Sequence, residues 1–104
     1  MYLLVYKFGG SSVADAAGLR CAAGQLAEAA AAGFHIIAVV SAQGKTTDRL
    51  LQSTAELTAH PACREADQLL ATGEQASAAL MAMTLQERLT IKSQAPKQNF
   101  REKF

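Results

Sequence analysis

The chain has 104 residues, of which 50% are hydrophobic, and a formal net charge of +1. That length suits one small domain, burying roughly two thirds of its unfolded surface, and excludes a large two-domain enzyme. The near-neutral balance gives no electrostatic basis for binding nucleic acid or an acidic membrane surface, so partners must be argued from sites.

The first element is an apolar run, Tyr2, Leu3, Leu4, Val5, Tyr6 and Phe8, interrupted only by Lys7. Its near continuity predicts a parallel strand covered on both faces. Gly9 and Gly10 follow, able to adopt φ > 0 and to let the backbone approach a ligand, with Ser11 and Ser12 as caps for the next helix. A helix N-terminus with free N–H groups, beside the charge of Lys7, makes an anion site, and phosphate is the natural occupant. The same strand, turn and capped helix also occur without a ligand. Val13 to Ala32 reads as an alanine-rich helix with Leu19, Ala23, Leu26 and Ala30 as a narrow apolar stripe and Gly33 as its stop. Cys21 falls on the opposite side with Gln25 and Glu28, an exposed structural thiol and not a nucleophile.

Phe34 to Val40, FHIIAVV, is a second buried strand, with His35 at its edge. Strand, helix, strand forms a crossover unit with both C-terminal ends on one side. Ser41 to Leu51 then leaves the second strand and enters another helix, capped by Thr46 or Thr47 with Asp48 in its first turn. Both loops lie where ligands bind in open α/β sheets, outside the carboxyl ends of the strands. Gly44-Lys45-Thr46 is not a phosphate loop, because Val39 stands where that motif needs glycine, and G-x-G-x-x-G is absent. The second helix should end before the His60-Pro61 step. Ala62 to Arg88 is helical, interrupted at Thr72-Gly73, with Leu70, Glu74, Ser77 and Met81 on one stripe. A carboxylate on an apolar stripe needs a cation or a cleft, unless a kink lets it reach water. Met81 and Met83 are expected to fill the core.

Cys21 and Cys63 lack metal-type spacing, and this much apolar sequence needs no disulfide staple, so a reducing compartment is expected. With no secretory-type leader and no apolar run near about 20 residues, the expectation is a soluble, cytoplasmic chain.

Three blocks, KFGGSSVAD at 7–15, VVSAQGKTTDRLL at 39–51 and LLATGEQASAALMAM at 69–83, resemble successive signature blocks of the aspartate kinases, within the amino-acid kinase family. Their common order and spacing make the resemblance specific over residues 2–87. It implies a three-layer α/β/α fold, here truncated, with a mostly parallel sheet of about three strands and three to four helices. It also implies transfer of the ATP γ-phosphoryl group to the side-chain carboxylate of L-aspartate, at the start of lysine, threonine and methionine synthesis. Mg²⁺ would enter with ATP, with no protein metal ligand identified, and the intact enzyme would be a homo-oligomer. By the same resemblance, Lys7 neutralises charge on the transferred phosphoryl group, and Phe8, Gly9, Gly10 and Ser11 cradle phosphate oxygens. Ser41 and Thr47 hold aspartate, and Glu74 binds its α-ammonium group.

The pattern departs at the C-terminus. Residues 1–87 match the opening of a kinase catalytic domain, whereas 88–104 diverge: Leu89 to Ser93 can pass for a strand, and Gln94 to Phe104 reads as a basic tail. The resemblance covers only the opening third or less of the enzyme, so the fragment alone should be inactive. The alternatives are another amino-acid kinase, or a non-catalytic α/β remnant that binds phosphate weakly or self-associates through unpaired strand edges.

Overall fold

The structure, a computed structural model, describes residues 2–94. Its order is β1 (Leu3–Phe8), α1 (Ala16–Ala31), β2 (His35–Val40), α2 (Thr46–Leu57) and α3 (Cys63–Gln94). The strands pair in parallel, with Leu3 opposite His35, Val5 opposite Ile37, Lys7 opposite Val39 and Phe8 opposite Val40. This is the α/β unit that the two apolar runs separated by an alanine-rich helix predict.

The sheet has two strands among the described residues, fewer than the expected three. The stretch read as a third strand, Leu89 to Ser93, lies inside α3, and the reading at 95–104 falls outside the described residues. Its leucine, threonine and isoleucine continue an established helix, and propagating a helix costs less than nucleating an isolated strand. α3 also runs unbroken through Thr72-Gly73.

Coverage of the sheet also departs from expectation. Alternate side chains point to opposite faces of a strand. Tyr6, Phe8, Ile36 and Val40 meet α1 and α3 in a core built from Val13, Leu19, Ala22, Ala23, Leu26 and Met81. The other face carries Leu3, Val5, Ile37 and Val39, all exposed. A nearly continuous apolar run predicts cover on both sides, but the helices among the described residues cover one.

α1 begins later than the first serine. Its N-cap is Asp15, whose carboxylate accepts the Gly18 N–H at 2.8 Å, while Ser11 and Ser12 lie in the preceding turn. Asp is as good a cap as Ser, and its position leaves residues 9–13 free to form a loop. That loop folds back tightly over the helix start: a Cβ on Gly18 would collide with the Ser12 carbonyl oxygen. Small residues then let α1 lie close, with Ala22, Ala23, Ala27 and Ala29 buried and Ala30 turned outward. Gly33 ends the helix at φ 100°, as its place in the sequence suggested.

Candidate active site

Both loops leave the sheet at the C-terminal ends of adjacent parallel strands. Phe8 is the last residue of β1, and its carbonyl accepts the Ser41 N–H at 3.1 Å, so the two exits start side by side. Beyond them the Gly44 N–H donates to the Gly10 carbonyl at 2.9 Å. A Cβ on Gly10 would sit 2.7 Å from the Ala42 carbonyl oxygen, so glycine is required there by a close backbone approach. Neither Gly9 nor Gly10 has positive φ; among the described residues that conformation belongs to Gly33 and Gly44. Of the two arguments for the glycine pair, close backbone approach and positive φ, the second holds instead for Gly44, at φ 49°, which turns the chain into α2.

The cap of α2 is also shifted. Lys45 occupies the N-cap position without a side-chain cap bond, and Thr46 opens the helix, leaving the Thr47 hydroxyl uncommitted to capping. Asp48 is in the first turn, as expected. The segment 42–46 receives a third contact from α3: a Cβ on Gly73 would meet the Ala42 Cβ at 2.8 Å and the Thr46 Cγ2 at 3.3 Å. All three sequence blocks therefore converge on the β2–α2 loop, the first through Gly10 and the third through Gly73.

The named side chains are distributed around this junction. Lys7 is exposed on β1, one residue before its end and opposite Val39. The Phe8 ring is in the core, which leaves only its backbone at the turn. Gly9 and Ser11 are exposed, and Ser41 and Thr47 are half-buried. Glu74 follows Gly73 and is exposed, so its carboxylate carries no desolvation cost and needs no buried cation. The stripe that seemed to enclose it is occupied instead by Gly73, Ser77 and Met81, all buried. The sequence pattern marks Gly73 only as a helix break and assigns nothing to Gly18 or Gln43, yet all three shape the junction. The Gln43 side-chain amide donates to the Val13 carbonyl at 2.9 Å, across 30 positions of sequence. Packing glycines and a single amide carry no periodic signal, and only their tertiary partners distinguish them.

Known proteins match this arrangement. The model of the amino acid kinase family covers residues 3–98. The chain belongs to that family. It is 44% identical over 88 residues to an aspartokinase of Geobacillus stearothermophilus, covering 85% of this chain and 22% of that one. An aspartokinase of Mycolicibacterium smegmatis is 46% identical over 86 residues, covering 83% of this chain and 20% of the relative. The crystal structure of aspartate kinase from Synechocystis superposes with a TM-score of 0.80 at 39% identity, over 84% of this chain and 15% of that one. The chain thus spans about a fifth of the length of the aspartokinases it matches. As a member of the amino acid kinase family it is aspartokinase-like in sequence and in fold.

Proposed function

We propose that this chain forms the phosphate and amino-acid contacts of an aspartate kinase, which moves the γ-phosphoryl group of ATP to the side-chain carboxylate of L-aspartate. The observation that carries this reading is the convergence of the three blocks on residues 42–46. In such a transfer the substrate carboxylate is the nucleophile, so no general base is required, and rate comes from alignment and charge stabilisation. The Lys7 ammonium neutralises the phosphoryl oxygens as charge shifts toward the leaving ADP. Free amides at Gly9 and Gly10, with the Ser11 hydroxyl, receive phosphate oxygens. Ser41 and Thr47 hold the acceptor, Thr47 from the first turn of α2, where the helix dipole favours its negative charge. Glu74, exposed beside the loop, takes the α-ammonium group.

No group of three or more His, Cys, Asp or Glu able to hold a metal occurs among the described residues. In this reading Mg²⁺ would enter with the phosphates of ATP. Among the described residues no helix is long and apolar enough to cross a membrane. ATP and aspartate are the ligands of this reading, the intact enzyme is a homo-oligomer, and its compartment is the cytoplasm.

The decisive experiment grafts residues 2–88 of this chain onto the Geobacillus stearothermophilus aspartokinase in place of its matching segment. Aspartate-dependent ADP release is expected from the graft and none from the isolated 104-residue chain. Lys7→Met in the graft should lower kcat by about 10²–10³, the usual cost of one charge-stabilising donor, with unchanged circular dichroism. Near-normal turnover of that variant would remove Lys7 from the chemistry. A second reading, a non-catalytic segment that associates with other chains, draws on the exposed apolar face of the sheet, and a folded graft without turnover would favour it.

A further inference from the structure

Gln43 is given no contact with phosphate or acceptor in the kinase reading, yet it makes the side-chain hydrogen bond that spans the most sequence among the described residues. Its amide reaches the Val13 carbonyl at 2.9 Å in a partly buried setting. Val13 is fully buried and precedes the N-cap of α1, so no intrahelical donor is due to its carbonyl. The neighbouring Gly44 N–H donates to the Gly10 carbonyl at 2.9 Å. Residues 43 and 44 therefore hold the glycine turn at both of its ends. One hydrogen bond between two loops leaves a hinge, whereas two bonds separated along the chain fix distance and rotation together.

We propose that Gln43 is a positioning residue that sets the spacing between the phosphate side of the site, Gly9 to Ser11, and the acceptor side, Ser41 and Thr47. The functional half of this inference rests on the kinase reading above; the structural half does not. Phosphoryl transfer is sensitive to the separation and angle of donor and acceptor, so a loosened latch lowers turnover while leaving each substrate its own contacts. The buried Val13 carbonyl, left without a donor, also makes the glycine turn prone to open.

Two measurements separate the halves. In the 104-residue chain, Gln43→Met keeps the length of the side chain and removes the donor. Amide exchange at Gly44 is expected to accelerate about tenfold, the effect of one hydrogen bond of ordinary net strength, with the β1–β2 ladder unchanged. Unchanged protection at Gly44 overturns the latch, whatever the chain's activity. In the graft, Gln43→Met should lower kcat about tenfold with both KM values within about twofold, and Gln43→Lys, which restores a donor of sufficient reach, should recover most of it. Faster exchange at Gly44 with kcat intact would reduce Gln43 to a structural tie and overturn its positioning role. A graft inactive before any substitution counts against the kinase reading, and the exchange comparison still decides the latch.

Discussion

Single side chains around the junction carry opposite energetic signs. Ser77 is fully buried on α3 and its hydroxyl has no hydrogen-bond partner among the described residues. A buried hydroxyl without a partner costs about 1–3 kcal/mol, and alanine is also the better helix former by a few tenths of a kcal/mol. Ser77→Ala should raise stability by about 1 kcal/mol, read as a higher urea midpoint at constant m-value; a fall would mean that the hydroxyl has a partner in solution. Glu74 differs because it is exposed, so removing its charge leaves the fold alone. Its effect belongs to binding: in the graft, Glu74→Ala should raise the aspartate KM about 10–100-fold, the loss of one charge-assisted hydrogen bond, with melting temperature unchanged. An unchanged KM would release Glu74 from the site. The sequence pattern put both residues on one stripe, and only the packing of α3 separates them, because a helical stripe is wider than the line along which another element touches it.

Elements were legible where a whole segment votes for one period, and illegible where one contact decides. Two apolar runs flanking an alanine-rich helix identify the parallel pair, and Gly33 and Pro61 mark element ends correctly. The start of α1 was misplaced because Ser11, Ser12 and Asp15 are comparable caps, and tertiary closure of the 9–13 turn selects the last of them. Gly73 was read as a break in a helix, yet α3 runs through it, since the missing side chain makes room for Ala42 and Thr46. Intrinsic propensity favours alanine over glycine in a helix by about 1 kcal/mol, while forcing a methyl group into close-packed atoms costs about 1–3 kcal/mol. The Ala42 methyl sits on the backbone and cannot swing away, so the second effect wins. Gly73→Ala should destabilise the chain by about 1–2 kcal/mol and displace the loop between Ser41 and the start of α2, where Thr47 lies. Gly9→Ala is the control: nothing lies within 4 Å of its added Cβ, and it should leave the unfolding midpoint nearly unchanged. If Gly73→Ala proved the more stable protein, the contact between α3 and the β2–α2 loop would be looser than its geometry indicates.

At the scale of the molecule, the radius of gyration is 17.6 Å, against about 13 Å for a closed domain of 100 residues. One cause is α3, whose 32 residues span about 48 Å at 1.5 Å per residue. The other is the sheet, whose second face packs against no element among those described. Leu3, Val5, Ile37 and Val39 retain between 44% and 63% of their surface on that face, a contiguous apolar patch because Val5 and Ile37 are direct cross-strand partners. Such a patch drives association, and the outer strand edges offer unpaired backbone groups to it. The 104-residue chain should therefore sediment as a concentration-dependent oligomer. Replacing the facing pair with opposite charges, Val5→Lys with Ile37→Glu, removes the apolar centre and adds a favourable cross-strand pair, so the parallel strands are kept. That variant should sediment as a monomer where the parent associates, with the same far-ultraviolet dichroism. A parent that stays monomeric at hundreds of micromolar would show that the bare face drives no association. Association that persists in the double variant would move the contact from the face to the strand edges, which the substitution leaves open.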